Sequence, residues 1–353
     1  MRRRDTNGGV ARKPKSVVAP RPLSELQAAL GPALSPGDRE LSRRVTALSD
    51  AARATIAAQD WPALLGLRAW AWQHPLFMTP QAHLRGFLRR WEEALLSGAP
   101  LAVAAALVRD DVATAVWDPW ERLAARASWA ELRPLLRDDA AAWSVAEARV
   151  LRGETLGGRS PISGMPLRLF RWEPRLEPTS YSPLGSSWAS RGFEGTLQPT
   201  VLPPAIACEP GEPEWSHLLV LWGSAEPRVV RVAGTGLQAL ACLLDPATSP
   251  DVGPCTWKEA LAAMLRAHGN SAPYVDGRGM VEARRAVWRL LAALSGAGWP
   301  VSGSGLQAAM KGWRWLRYDP HEAYADPTLW SLFLALEDPR RGFAWATHAW
   351  VTD

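Results

Sequence analysis

The sequence predicts an α+β protein in which an all-helical N-terminal module precedes a smaller α+β domain with an antiparallel sheet. Three observations predict this fold class. Apolar residues recur at helical spacing from about Leu23 to Leu156, prolines crowd residues 157–216, and apolar segments bounded by turn signals follow from residue 217. A chain of 353 residues with 47% apolar content can bury a large core, so we expect two folded domains.

Four segments divide the chain. Residues 1–22 are predicted to form a disordered basic tail, residues 23–156 a helical module, residues 157–216 a proline-rich irregular connection, and residues 217–353 the α+β domain. The tail carries a net charge of +6 and the whole chain +5, so the remaining residues sum to −1. Because basic tails bind polyanions, nucleic-acid binding through residues 1–22 is one hypothesis, and a solvated end without a ligand is the other.

The segment from Thr79 to Gly98 shows the helical pattern of the N-terminal module best. Thr79 is suited to cap a helix, Pro80 to occupy its first position and Gly98 to end it. The apolar residues fall on one face: Leu84, Phe87, Leu88, Trp91 and Leu95. A similar string recurs at Trp61 and Trp129, 68 residues apart, so the module is predicted to be either a helical bundle or a helical repeat.

Two capping motifs predict further helix starts in this module. Ser24 with Gln27, and Ser128 with Glu131, have the spacing of a capping box, in which the serine and the longer side chain exchange hydrogen bonds with the backbone. Pro134 follows the second motif closely. That helix is therefore predicted to begin either at Ser128 or beyond the proline.

The connection over residues 157–216 contains ten prolines and shows no helical period. Because each proline lacks a backbone donor, a central strand cannot form there. We expect a long irregular segment, with short edge strands at Leu167 to Trp172. Loops of this length inside compact domains are usually either functional or disordered.

The α+β domain is predicted to begin with a hairpin of two strands, His217 to Trp222 and Val229 to Gly234, which leads into a helix. A second helix is expected from Trp257 to His268. A third starts at Gly279 and places one apolar face toward the core: Met280, Ala283, Val287, Leu290, Leu291 and Leu294. The alternating segment from Trp313 to Tyr318 then predicts another strand.

The chain closes with a predicted β-hairpin of Leu329 to Leu336 and Phe343 to Val351, joined by the turn sequence DPRRG. Asp338 is expected to accept a downstream amide in the turn, and Gly342 to adopt positive φ. Ionisable residues are concentrated in this segment: Glu337, Asp338, His348 and Asp353. They indicate either an active site or, as we favour, the polar ends of a hairpin, with His348 as a strand residue on the face of Ala344, Ala346 and Trp350.

A G-x-G-x-x-A motif at Gly234, Gly236 and Ala239 follows a predicted strand and opens a helix, where backbone amides can hold a pyrophosphate. This pattern makes Gly234, Thr235 and Gly236 candidate nucleotide-binding residues. A dinucleotide fold also requires a parallel strand after the helix, and no strand is predicted in the sequence DPATSPDVGPCTW that follows. The alternative is a tight turn capped by Thr235.

Two further groups of residues are candidates for ligand chemistry. Asp319, His321, Glu322 and Asp326 lie together in a predicted loop, but their spacing is not H-E-x-x-H, so no metal site is predicted. The candidate catalytic residues are Asp319, His321, Glu322 and His348, and the alternative is an acidic surface loop without a ligand. Trp313 and Trp315 could stack a ligand with Arg314 or Arg317 above them, or simply fill the core of the domain.

Cysteine content and hydropathy indicate a bacterial-type cytoplasmic protein. Three cysteines, Cys208, Cys242 and Cys255, cannot form a disulfide framework, and the N-terminal arginines are not followed by the apolar region of a secretory signal. The uncharged stretch from Leu290 to Met310 is interrupted by glycines and a proline, so it is not predicted to cross a membrane.

Four strings resemble an uncharacterised family of proteins from high-GC bacteria: ARVLRGETL at Ala148, the helix at Gly279, WRWLRYDP, and the closing segment from Leu332 to Asp353. The resemblance brings no activity or catalytic residue that can be transferred to this chain, and it leaves any cofactor unknown. The sequence leaves three functions open: a non-catalytic scaffold that binds another protein, which we favour; an enzyme or nucleotide-binding protein using the Gly234 turn or the Asp319–Asp326 loop; and nucleic-acid binding through the tail.

Overall fold

A computed structural model describes residues 39–73, 82–109, 118–182, 185–189, 193–219, 227–269, 279–321 and 331–350. The chain divides into two compact units, Met1–Phe87 and Leu88–Asp353. The predicted basic tail, the Ser24 capping motif and the Thr79–Pro80 helix start lie outside the described residues.

Two helices lie entirely within the described part of the first unit, α1 (Arg39–Ala57) and α2 (Trp61–Gln73). Gln59 turns the chain between them with a φ of 55°. The Asp60 carboxylate then accepts the Ala63 amide at 3.2 Å, which satisfies an N–H at the start of α2. Leucines and alanines of both helices are buried: Leu48, Ala52, Leu64, Leu67 and Ala71.

Helices also lead the second unit. α3 (Ala82–Gly98) ends at the predicted glycine, and α4 (Leu101–Arg109), α5 (Pro119–Ala124), α6 (Trp129–Leu132) and α7 (Ala140–Leu151) follow. The capping box of Ser128 and Glu131 is confirmed, with the Ser128 amide donating to the Glu131 carboxylate at 2.8 Å. Pro134 limits α6 to one turn, since the chain continues as a 3-10 helix over Arg133–Leu135.

The proline-rich segment contains two short antiparallel strands, β1 (Glu177–Ser182) and β2 (Gly185–Ala189), and two edge strands, β3 (Gln198–Pro199) and β4 (Cys208–Pro210). The edge strands predicted at Leu167 to Trp172 are wrong, because that stretch is an irregular loop. The Arg284 side chain, more than 100 residues further along the chain, holds this loop in place. It donates to the carbonyls of Pro166 and Arg168 at 3.0 and 2.9 Å.

The strand predicted from His217 to Trp222 is also wrong in its described part. Residues to Leu219 belong to helix α8 (Pro213–Leu219), and residues 220–222 lie outside the described ranges. Trp215, Leu218 and Leu219 are buried on one face, at the i, i+3 and i+4 spacing of a helix. The apolar run His217 to Trp222 is too short to distinguish strand from helix by itself.

The remaining elements are β5 (Arg228–Ala233), α9 (Gly236–Leu243), β6 (Asp251–Cys255), α10 (Trp257–Gly269), α11 (Gly279–Ser295), α12 (Gly303–Met310), β7 (Arg314–Asp319), β8 (Ser331–Asp338) and β9 (Phe343–Trp350). Seven strands form one antiparallel sheet in the order β3-β6-β7-β8-β9-β5-β4. The fold is therefore α+β with an antiparallel sheet, as the sequence predicts.

Both faces of this sheet are buried. On one face, α8, α10, α11 and α12 cover the inward side chains of the central strands: Trp313, Trp315, Leu332, Leu334, Leu336 and Trp345. On the other face, α9 packs with Ala239, Leu240 and Leu243 on small sheet residues: Ala335, Ala344 and Ala346. Alternate side chains of β8 and β9 therefore pack into two different hydrophobic cores, one on each face of the sheet.

The closing hairpin is confirmed. Asp338 pairs with Phe343 at its end, Gly342 has a φ of +69°, and the Gly342 amide donates to the Asp338 carbonyl at 2.9 Å. The Asp338 carboxylate accepts the amides of Arg340 and Arg341 at 3.1 and 3.4 Å, which is the predicted role of an aspartate before a turn proline. Among the described helices, none combines the length and apolar character needed to cross a bilayer.

Candidate functional site

In the candidate nucleotide-binding turn at residues 234–236, side chains of the protein itself accept the backbone amides. Thr235 caps α9: its hydroxyl accepts the Gln238 amide at 3.3 Å, and the Gln238 side chain accepts the Thr235 amide at 2.8 Å. The Gly236 amide donates to the Glu337 carboxylate at 3.1 Å. A side-chain carboxylate thus occupies the position at which a phosphate would approach this helix N-terminus.

The expectation that no strand follows this helix is wrong, because β6 spans Asp251–Cys255. β5 and β6 run in the same direction, but β7, β8 and β9 lie between them in the sheet. A dinucleotide fold instead binds its ligand where successive strands form a parallel sheet. The topology around Gly234 therefore differs from that fold.

The acidic loop is described only as far as His321. Glu322 and Asp326 lie outside the described residues. The His321 amide donates to the Asp319 carboxylate at 2.8 Å, and His321 Nε2 lies 3.4 Å from Asp251 Oδ1. The part of the chain that the structure describes holds no group of three His, Cys, Asp or Glu side chains arranged for a metal ion.

His348 is a buried strand residue, on the face of β9 that also carries Ala344 and Ala346. Its Nδ1 lies 3.1 Å from the Tyr318 hydroxyl, which donates to the Thr347 carbonyl at 3.0 Å. The ring centroid is 4.9 Å from that of Phe333. His348 is thus part of the packed aromatic layer between the sheet and α9.

A cavity borders Trp313 and Trp315, and we call it the tryptophan cleft. Its volume is about 800 Å³, within the usual size range of ligand sites. Eleven residues line it: Cys255, Thr256, Trp257, Ser304, Gln307, Ala308, Met310, Lys311, Gly312, Trp313 and Trp315. Met310 and the last two tryptophans are buried, whereas the lining residues of α12 before Met310 are exposed and form a rim.

Trp315 lies in β7 and Trp313 lies directly before that strand, and both side chains pack on the same face of the sheet. Their ring centroids lie 6.1 Å apart at an interplanar angle of 53°, and their exposed fractions are 8% and 4%. Arg317, which the sequence places with them, packs instead over the Phe193 ring at 4.8 Å and donates to the Gly195 carbonyl. The structure therefore brings Trp313 and Trp315 to one cavity, while Arg317 is not among the residues that line it.

Sequence reasoning missed Cys255 and the rim of the cleft. Burial is the main cause that raises the pKa of the Cys255 thiol to about 12, and Glu259 adds to the shift while Arg317 opposes it. The thiol is therefore protonated at neutral pH and acts as an apolar wall. The exposed positions of α12, at Ser304, Gln307 and Ala308, look in sequence like any polar helix surface.

A second cavity of about 310 Å³, which we call the basic groove, lies at the start of α10. It is lined by the irregular loop and by one lysine: Leu169, Phe170, Arg171, Glu173, Pro174, Arg175 and Lys258. Sequence reasoning missed it because Lys258 is more than 80 residues from the arginines in the chain, so no local pattern joins them.

A buried ion pair supports the floor of this groove. Arg284 of α11 contacts the Glu173 carboxylate through two nitrogens, at 2.7 and 2.9 Å. The same carboxylate accepts the Trp288 indole N–H at 3.0 Å and the Phe170 amide at 3.1 Å. Its acceptor positions are thus filled, which a buried charge requires.

Comparison of this chain with protein-family models, with curated proteins and with solved structures finds no match. The resemblance to an uncharacterised bacterial family therefore stays a prediction, and function must be argued from the sites themselves.

Proposed function

We propose that this chain is a non-catalytic binding protein whose tryptophan cleft receives apolar side chains from an extended segment of a partner protein. The observation that carries the proposal is the composition of the cleft. Buried Trp313, Trp315 and Met310 form its floor, and polar or small residues of α12 form its rim. Aromatic residues and Met at the centre, with a polar rim, are characteristic of protein-binding hot spots.

The titratable groups of the cleft also support binding. Cys255 is the one thiol among the described lining residues, and burial raises its pKa so that it stays protonated. Acid–base catalysis requires groups that titrate near the working pH. The rim instead supplies hydrogen-bonding side chains at Ser304 and Gln307, which suit the backbone of a bound segment.

Selection of short random peptides against the immobilised full chain would test this proposal. We expect enrichment of peptides with aromatic or large aliphatic residues. The Ala308→Trp variant fills the cleft from its exposed rim, so it should weaken the selected peptides by about tenfold or more. Ala102→Trp is the matched control, because Ala102 is exposed on α4 and does not line the cleft.

Two results would contradict the proposal. The first is the absence of any enriched peptide. The second is a selected peptide that binds Ala308→Trp and Ala102→Trp with equal affinity, which would place its site elsewhere on the chain. Melting temperatures of both variants should match that of the parent chain, because each new side chain starts from an exposed position.

A further inference from the structure

The basic groove combines three cationic side chains in one small cavity. Arg171 and Arg175 come from the irregular loop and Lys258 from the first turn of α10, and all three are exposed. Like charges that share a groove repel one another, which disfavours this arrangement in the absence of a counter-charge. The groove therefore has the electrostatic character of an anion site.

None of these three cations is neutralised within the described part of the chain. No hydrogen bond or ion pair joins Arg171, Arg175 or Lys258 to another described residue. By contrast, Arg149, Arg284 and Arg285 of the same unit each pair with a carboxylate, at 2.6, 2.7 and 2.8 Å. The donors of the groove remain available to a ligand.

Two carboxylates close to these cations in the chain, Glu173 and Glu259, already bond to other groups. Glu173 lines the groove, but it is buried and bonded to Arg284 and Trp288. Glu259 follows Lys258 in α10, and it accepts the amides of Thr256 and Glu194 at 2.6 and 2.7 Å. Neither side chain can turn toward the groove without breaking these bonds.

Lys258 occupies a position that is unfavourable for a cation in an isolated helix. It is the second residue of α10, and the N-terminus of this 13-residue helix carries a partial positive charge. A lysine there increases the positive potential instead of compensating it. The Glu259 carboxylate already accepts the Thr256 amide at this terminus, so the attraction for an anion in the groove comes from the lysine side chain.

The backbone that carries the arginines is held in place. Arg284 fixes the carbonyls of Pro166 and Arg168, and the Trp172 indole N–H donates to the Gly303 carbonyl at 3.2 Å. The ring of Trp172 also lies 5.1 Å from that of Trp288. A fixed backbone lowers the entropic cost of binding, because fewer groups must be ordered when the ligand arrives.

We propose that the basic groove binds a phosphoryl group, as inorganic phosphate or as the phosphate of a phosphorylated side chain. Two guanidinium groups can each form paired hydrogen bonds to phosphate oxygens, and the lysine adds a third positive charge. A dianion balances these charges better than a carboxylate does. The cavity of about 310 Å³ accommodates a group of this size. The inference does not depend on the tryptophan cleft.

Isothermal titration calorimetry of the full chain at low ionic strength tests this site. Inorganic phosphate and N-acetyl-phosphoserine amide are the two probes, and the tighter one identifies the source of the phosphoryl group. Acetate, a monoanion, should bind about tenfold more weakly or not at all. Arg171→Gln, Arg175→Gln and Lys258→Gln should each weaken phosphate binding by about tenfold.

The matched controls are Arg137→Gln and Arg340→Gln, which remove an exposed cation outside the groove and should change affinity by less than about twofold. An equal loss in these controls, or equal binding of acetate and phosphate, would show non-specific attraction and overturn the proposal. So would the absence of measurable heat with both phosphate probes. An unchanged melting temperature for each variant establishes that a lost affinity is not a loss of folding.

Discussion

The Glu337 carboxylate accepts the backbone N–H of Gly236 at 3.1 Å, although 101 residues separate them in the chain. Its second oxygen accepts a bond from Arg314 at 3.0 Å. The acid at the end of the closing hairpin thus holds the first turn of α9, next to the Thr235 cap. This hydrogen bond joins the Gly234 turn to the closing hairpin, which the sequence presents as two separate candidate sites.

Glu337→Ala should lower the free energy of unfolding by about 1–2 kcal/mol, because the Gly236 amide loses its acceptor at a helix N-terminus. Urea unfolding measures this loss, and hydrogen exchange should quicken in α9. Arg314→Ala is the control, since the Arg314 side chain is 69% exposed and its ion pair contributes less than about 1 kcal/mol. Equal losses of unfolding free energy in the two variants would show that the ion pair, and not the amide contact, provides the stabilisation.

Glu173→Gln should destabilise the fold strongly, by about 3–5 kcal/mol, because it leaves the buried Arg284 guanidinium without its counter-charge. The double variant Glu173→Gln with Arg284→Met should lose less than Glu173→Gln alone, since no buried charge then remains unpaired. Urea unfolding compares the three chains. Glu282→Gln, which removes a partly exposed partner of Arg285, is the control and should cost less than about 1 kcal/mol. A double variant less stable than Glu173→Gln would contradict this account.

The Cys255 thiol should react slowly with iodoacetamide at pH 8. Its pKa is raised to about 12, mainly by burial, so its thiolate fraction is about three orders of magnitude below that of a free cysteine. The labelling rate should rise about tenfold per pH unit until pH approaches that value. Mass spectrometry follows each cysteine separately, and Cys208 provides the internal comparison because it is exposed, although its own pKa is also raised. Equal rates at Cys208 and Cys255 would be inconsistent with a buried, protonated thiol.

The same shift predicts how stability depends on pH. The raised pKa means that folded Cys255 retains its proton above the pH at which the unfolded chain loses it, near pH 8.5–9. This contribution is fully present below that range and is lost as pH rises toward 12. The melting temperature should therefore fall less steeply between pH 8 and pH 11 in Cys255→Ala than in the parent chain. Identical slopes would exclude a contribution from this thiol.

Gly342→Ala and Asp338→Ala should each weaken the closing hairpin. Gly342 has a φ of +69°, where a side chain costs about 1 kcal/mol, and Asp338 accepts two turn amides. We expect each variant to lower the free energy of unfolding by about 1–2 kcal/mol in urea. Arg340→Ala changes an exposed side chain in the same turn and should have little effect. A loss in Arg340→Ala as large as in the other two would refute this explanation.

Local patterns in the sequence were sufficient for several elements. The hairpin at Asp338, the capping box at Ser128 and the apolar face of the helix at Gly279 each depend on residues within a few positions of one another. Turn chemistry, capping and helical periodicity are local properties of the chain, so they can be recognised without coordinates. The positions of Trp313 and Trp315 on one face of the sheet follow from the same kind of pattern.

Tertiary structure alone decided which distant residues meet. The Glu337–Gly236 contact, the Arg284–Glu173 pair and the basic groove all join segments far apart in the chain, and no periodicity encodes such pairings. It also decided the state of the apolar run at His217, which is helical to Leu219 because α8 buries one face there. The sequence by itself determined the class of fold and its turns. Packing of the sheet against the helices on its two faces determined where ligands can bind, because such cavities form where elements from different parts of the chain come together.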